Sequence, residues 1–103
     1  MPSPAPSFSI TLPINTSASP SIGLLPAGEW HVFIYAAGWE SKTVKLQSGN
    51  GTAFGDCREA GAVRLVGANE SLIVSGNLHY RLAADSQFTS NVITAEFFPA
   101  SSR

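Results

Sequence analysis

The two histidines, His31 and His79, have the broadest chemical repertoire in this chain, because imidazole binds metals and transfers protons near neutral pH. Each lies inside a stretch with the residue pattern of a β-strand, and no cysteine or second histidine lies within four residues of either. A zinc site usually takes two of its ligands from one short segment. We therefore predict no metal site and expect both histidines at the surface or at an interface.

The seven carboxylates are candidates for acid–base catalysis, since two carboxyl groups about 5–9.5 Å apart can hydrolyse a glycosidic bond. Most of them fall in or beside turns, and the sequence shows no insertion that would enclose such a pair in a cleft. The serines lack the Gly-x-Ser-x-Gly arrangement of hydrolases. Cys57 is alone in the chain and is expected to be a small buried hydrophobe. The sequence thus predicts a non-enzymatic protein without catalytic residues or a cofactor.

Aromatic side chains are the remaining candidates for ligand binding, because their flat rings offer stacking surfaces. Trp39 is the best placed, since it lies in a turn between Gly38 and Glu40. One interpretation is therefore a carbohydrate-binding module that presents Trp39 and neighbouring aromatics. The other is that Trp39 contacts a partner subunit or closes one end of the fold, and we favour this second interpretation.

Alternation of apolar and polar residues, interrupted by turn residues about every eight to twelve positions, runs through nearly all of the chain. The runs 44–47 and 78–83 alternate strictly, and the pair Asn50-Gly51 is typical of a tight hairpin turn. Side chains on a strand point to opposite faces with a period of two, so each run has one face to bury. The sequence predicts an all-β fold, an antiparallel β-sandwich of jelly-roll or immunoglobulin-like type with seven to nine strands.

Residues 1–21 are predicted to form an extended Pro/Ser-rich arm that includes one strand near residues 8–14. Pro13 cannot donate a hydrogen bond, which places this strand at a sheet edge or in exchange with a neighbouring subunit. Its apolar side chains are candidate partner contacts: Phe8, Ile10 and Leu12. Residues 22–99 form the predicted sandwich domain, and residues 100–103 a short tail.

The run 30–36 is apolar on both faces, which indicates a strand that is covered on both sides or lies at a subunit contact. Phe33 and Tyr35 on this run, together with Trp39, complete the candidate partner-contact residues. None of these residues implies chemistry beyond packing and stacking.

The composition favours a protein partner and argues against nucleic acid. Hydrophobic residues make up 44% of the 103 residues and charged residues 13%, with a net charge of -1 and no basic cluster. That charged share is about half the usual value for a soluble domain, so we expect surface to be buried against other copies or other proteins. No stretch approaches the ~20 apolar residues of a membrane span, and the first residues lack the pattern of a signal peptide. We expect no membrane partner.

One arrangement of segments occupies residues 24–98. A strand reading Val-x-Leu-Gln at 44–47 leads to the Asn-Gly hairpin, an aromatic follows at Phe54, and a Tyr-Arg-Leu strand lies at 80–82. The segments Leu25–Trp30 and Asn91–Phe98 flank these elements. With this arrangement the chain resembles small all-β virion proteins of tailed bacteriophages, of the capsid decoration (cement) and head-fibre type.

The resemblance implies a structural protein without catalytic residues, assembled in the host cytoplasm and located in the virion. It implies a homo-oligomer, with a trimer favoured, that binds the lattice of the major capsid protein and stabilises it. A tail or fibre adaptor is the alternative within a phage particle. The carbohydrate-binding module is the alternative from a different class of protein.

Overall fold

The computed structural model describes residues 8–59 and 61–100, with the backbone alone at Glu59. The predicted arm at residues 1–7 and the end of the predicted tail at residues 101–103 lie outside the described residues. The strands are β1 (Phe8–Leu12), β2 (Glu29–Tyr35), β3 (Val44–Gly49), β4 (Phe54–Asp56), β5 (Arg58–Glu59), β6 (Ala62–Val63), β7 (Leu65–Val66), β8 (Glu70–Ser75), β9 (His79–Ala83) and β10 (Ile93–Pro99).

The first sheet contains four antiparallel strands in the order β1-β10-β2-β8. β1 pairs with β10 of the same chain, from Phe8 opposite Phe97 to Leu12 opposite Ile93. It lies at a sheet edge and ends just before Pro13, because proline lacks the N–H that a further rung of the ladder would use. β8 lies at the other edge, and no strand in the described part of the chain pairs with its outer side.

The second sheet is built around β3, which pairs with β9 on one side and with β4 and β7 on the other. The segment 17–25 runs antiparallel along β9 and extends this sheet irregularly. Its hydrogen bonds include Ser19 N–H to the carbonyl of Leu82 at 2.8 Å and Ile22 N–H to the carbonyl of Tyr80 at 3.0 Å. β5 and β6 form a separate short hairpin between β4 and β7.

β2 places one of its two apolar faces in the core and leaves the other exposed, so within the described residues it is not covered on both sides. On β2, Trp30, Val32 and Ile34 are buried, whereas His31 and Phe33 are exposed. One cluster of buried side chains joins both sheets: Ile10 and Leu12 of β1, Ile93, Ala95 and Phe97 of β10, Val44 and Leu46 of β3, Val66 of β7, and Tyr80 and Leu82 of β9. The predicted all-β, antiparallel fold is confirmed, and the shared core is consistent with a β-sandwich.

The predicted hairpin is present between β3 and β4. Gly51 has a φ of 98°, a backbone conformation that is unfavourable for residues with a β-carbon. The side-chain oxygen of Asn50 accepts the N–H groups of Thr52 at 2.9 Å and Ala53 at 2.8 Å. The loop contains the four residues 50–53 rather than the two of the tightest Asn-Gly turn, and it uses Asn50 as a hydrogen-bond acceptor and Gly51 for its positive φ.

Candidate interaction surface

The titratable side chains form local pairs rather than a shared site. His31 lies on β2 and His79 on β9, in different sheets. Among the described residues, no group of three or more His, Cys, Asp or Glu side chains is placed to hold a metal ion. The ammonium of Lys45 lies 3.3 Å from Asp56 and 3.2 Å from Asp85, and hydrogen bonding to these two carboxylates raises the pKa of Lys45. This arrangement has the form of a structural ion-pair cluster, in which the two carboxylates favour the charged form of Lys45.

A groove of about 600 Å³ runs along the free edge of β8. Four consecutive residues of that strand, 71–74, line it. Because successive side chains on a strand point to opposite faces, a groove that contacts all four lies at the edge of the strand. It is also lined by Cys57, Arg58, Arg64 and Leu46 of β3. We call this feature the β8 groove.

The thiol of Cys57, a potential nucleophile, lines the β8 groove, and its environment makes it less reactive. Burial is the main cause that raises the pKa of Cys57 above its ordinary value. A thiol attacks as its thiolate, so a raised pKa lowers the reactive fraction at neutral pH. The β8 groove therefore presents an apolar wall flanked by two arginines, without an activated cysteine.

The outer face of the first sheet carries a patch of exposed apolar and aromatic side chains. Phe98 of β10, His31 of β2 and Ile73 of β8 lie directly across from one another on adjacent strands. Phe33 and Tyr35 lie beside them on β2, with ring centroids 5.1 Å apart and planes inclined by 25°. Phe33 is 40% exposed, Phe98 43% and Ile73 59%. We call these five residues the outer patch.

A polar contact holds one edge of the outer patch in place. The hydroxyl of Tyr35 donates a hydrogen bond to the carboxylate of Glu96 at 2.8 Å, across the β2–β10 pair. This hydrogen bond is the main cause that raises the pKa of Tyr35. The Tyr35 ring is thereby fixed in its stacked position against Phe33, which leaves a rigid aromatic surface.

Of the predicted contact residues, Phe33 and Tyr35 lie in the outer patch, whereas Trp39 lies elsewhere. The indole N–H of Trp39 donates to the side-chain oxygen of Asn69 at 2.9 Å, and its ring meets Phe88 edge-on with centroids 6.1 Å apart. The residue is half-buried and packs against the core. Trp39 is therefore tied into the fold and does not present a freely exposed face.

The predicted contacts on β1 lie largely inside the protein's own core. Leu12 is fully buried and Ile10 nearly so, while Phe8 is half-buried with its ring edge-on to Trp30 at 5.6 Å. These side chains reach a partner only if β1 leaves its pairing with β10. Their role in a partner contact stays a prediction.

Sequence reasoning missed Phe98 and Ile73. Its expected inward set on the last strand, Ile93, Ala95 and Phe97, is buried, and the same period of two turns Phe98 outward. Ile73 follows from the alternating burial of β8 in the same way. The signal was therefore present in the period. The period does not show that these two strands flank β2, an arrangement that places both side chains opposite His31, two residues before Phe33 on the same face.

In comparisons with known proteins, no family model, no curated protein and no solved structure matched the chain. Among the described residues, no helix has the length and hydropathy needed to cross a membrane.

Proposed function

We propose that this protein is a non-enzymatic structural protein that associates with copies of itself and binds a larger protein assembly through the outer patch. The observation that carries this proposal is the set of exposed apolar side chains on one sheet face, led by Phe33, Phe98 and Ile73. Isolated exposed apolar residues are common on proteins, but a contiguous group of this kind marks an interaction surface. Aromatic side chains in particular are enriched at protein interfaces.

The energy available from the outer patch suits a weak contact that is repeated many times. Its three most exposed apolar side chains leave on the order of 250 Å² of surface in water. Burying that area contributes on the order of 5 kcal/mol before the entropy of association is subtracted. A single contact of this size is marginal. Many contacts on one symmetric lattice become strong together.

The assembly that we propose is the capsid of a tailed bacteriophage, with the protein acting as a decoration or cement protein on the lattice of the major capsid protein. The resemblance in the sequence supports this choice, and the low charge and the outer patch agree with it. Its location is then the virion, after assembly in the host cytoplasm. A tail or fibre adaptor uses the same physics at a different place in the particle.

The test combines genetics with a binding assay. Genes for a major capsid protein and a portal protein beside the coding gene are expected. Empty shells assembled from that capsid protein should pellet with this protein in co-sedimentation. Phe33→Ser and Phe98→Ser should each weaken the binding, whereas Leu24→Ser should not, since Leu24 is 58% exposed but lies beside β9 in the second sheet. Equal binding by all three variants contradicts the role of the outer patch.

A carbohydrate-binding module is the second candidate, and the stacked pair of Phe33 and Tyr35 is the observation that favours it. Exposed, nearly parallel rings with a carboxylate at their rim can stack a sugar and accept hydrogen bonds from its hydroxyls. This candidate requires a hit on a glycan array that Tyr35→Ala abolishes. The Trp39 side chain is half-buried and hydrogen-bonded to Asn69. The variant Trp39→Ala separately tests a carbohydrate-binding site that presents Trp39.

A further inference from the structure

We propose that two copies of this chain pair through their β8 strands, antiparallel and about a twofold axis, to form one continuous eight-stranded sheet. The inference concerns how the copies join and rests on the self-association in the proposed function. It does not depend on binding to a capsid. The partner is a second copy of this chain, and the argument comes from the edge, the groove beside it and the sequence of β8.

Among the described residues no strand pairs with the outer side of β8, and the strand itself carries little of the usual edge protection. Natural sheets protect their edges with lysines, prolines, bulges or very short strands. β8 has six residues without lysine or proline, and its one charged side chain is at its first position, Glu70. The opposite edge strand, β1, is followed at once by Pro13. The β8 groove leaves space along the free edge, so an incoming strand has a place to lie.

The sequence of β8 is self-complementary in one register. With Ile73 opposite Ile73 of the second copy, Leu72 faces Val74 and Ser71 faces Ser75, so apolar residues meet apolar residues and serine meets serine. Moving the axis to Leu72 places Glu70 opposite Val74 and Ser71 opposite Ile73, which mixes polar with apolar. Opposite side chains point to the same face of the sheet only when the twofold axis passes through a residue rather than between two residues. Axes at Ile73 and at Leu72 are therefore the two central registers. The first is strongly favoured.

The pairing also covers apolar side chains that are open in a single copy. Leu72 and Val74 point to the core side but stay half-buried, because no strand in the described residues lies beyond β8 to cover them. Ile73 is 59% exposed. In the proposed register the outer face carries an unbroken row across the dimer, from Phe98 through His31 to Ile73 and on to the same residues of the second copy.

The size and charge of the contact set its strength. Six residues span about 20 Å of strand, and an edge contact of that length buries less than the ~1,200 Å² that marks the weak class of interfaces. A net charge of -1 per copy adds little repulsion. We expect a dimer with a dissociation constant in the micromolar range, which a lattice would strengthen by multivalency.

The experiment measures mass against concentration by sedimentation velocity and light scattering. A concentration-dependent shift toward twice the 10.8 kDa monomer mass is expected. A monomer at millimolar concentration, or the trimer that the resemblance implies, overturns the proposal. The failure of this inference and of the proposed function are separable. A dimer that does not bind capsid shells keeps the pairing and rejects the capsid function. A monomer that binds shells through Phe33 rejects the pairing and keeps the capsid-binding role of the outer patch.

Two sets of variants test the register. The double variant Ser71→Lys, Ser75→Lys places a lysine of one copy opposite a lysine of the other at two positions in the dimer. This repulsion should raise the dissociation constant about tenfold. Ser71→Lys with Ser75→Glu places opposite charges there and should restore dimerisation. Both positions are exposed, so the fold is expected to persist. Equal dissociation constants for the two double variants contradict the register.

A cross-link gives a second readout. Residues directly opposite each other on antiparallel strands have Cα atoms about 4.5–5.5 Å apart, within the range that a disulfide spans. In a Cys57→Ser background, Ile73→Cys should form a disulfide-linked dimer with oxidised glutathione. Val92→Cys is the matched control, because Val92 is also an exposed apolar residue, 49% accessible, outside β8. Equal cross-linking at both positions contradicts the pairing.

Discussion

The carboxylate of Glu40 accepts a hydrogen bond from the backbone N–H of Ser90 at 2.9 Å, although the two residues are 50 positions apart. The same carboxylate accepts the N–H of Thr89 at 3.0 Å and lies 3.3 Å from the ammonium of Lys42. Glu40 itself has a φ of 54°. One side chain thus connects the turn after β2 to the loop before β10.

This connection predicts a loss of stability in acid. The hydrogen bonds, led by that from Thr89, lower the pKa of Glu40 to about 2. Because the folded state binds the proton less tightly than the unfolded chain, the stabilisation is complete above the ordinary pKa of 4.5 and is lost as the pH falls from there through about 2. Glu40→Gln should lower the urea midpoint at pH 7, and the gap to the unmodified protein should close near pH 2. Glu29→Gln, an exposed carboxylate on β2, is the control for loss of a charge. A gap that is constant with pH contradicts the assignment.

Phe88 closes the core from a loop rather than from a strand. It is fully buried, and its backbone carbonyl accepts the N–H of Asn15 at 2.7 Å. Phe88→Ala should lower the free energy of unfolding by about 3–5 kcal/mol, because it removes a large buried ring and leaves a cavity. Phe98→Ala removes the same ring from an exposed position and should change it by less than about 1 kcal/mol. Denaturant titration compares the two, and similar losses would show that Phe88 is not a core residue.

Gly76 marks a close approach between two backbones in the turn after β8. A β-carbon at this position would overlap the carbonyl oxygen of Pro26, and the Gly76 N–H donates to the carbonyl of Gly28 at 2.6 Å. Gly76→Ala should therefore destabilise the protein by about 1–3 kcal/mol. Gly55 is the matched control, since a β-carbon there meets nothing within 4 Å. Thermal melts that lose the same amount for Gly55→Ala would contradict the steric explanation.

The Tyr80 side chain predicts how the stability of the fold changes at alkaline pH. Burial is the main cause that raises its pKa to about 12, and its hydroxyl donates to the carbonyl of Ser75 at 2.7 Å. The folded state holds this proton more tightly than the unfolded chain, so the stabilisation is complete below pH 10 and is lost as the pH rises from 10 to 12. Tyr80→Phe should be less stable at neutral pH but should depend less on pH above 10. Urea midpoints across that range measure both effects. An unchanged alkaline slope would assign the effect to another group.

Local sequence chemistry accounts for much of the fold. The period of two predicted the inward set on β10, the Asn50-Gly51 pair predicted the hairpin after β3, and Pro13 predicted an edge strand. Each of these depends on geometry within a few residues. The candidate surface was predicted in part, through Phe33 and Tyr35. Trp39 was expected to contact a partner subunit or to close one end of the fold, and its hydrogen bond to Asn69, 30 residues away, has no local signal.

The amino-acid sequence by itself determined the strand character, the alternation of side chains between two faces and the position of the hairpin turn after β3. Only the tertiary structure decided that β10 lies between β1 and β2, that β8 is left with a free edge and that Glu96 meets Tyr35 from 61 positions away. The physical reason is that an alternating strand pairs acceptably with many others. The neighbour it takes depends on how all the apolar faces pack together in one core, which no single segment specifies.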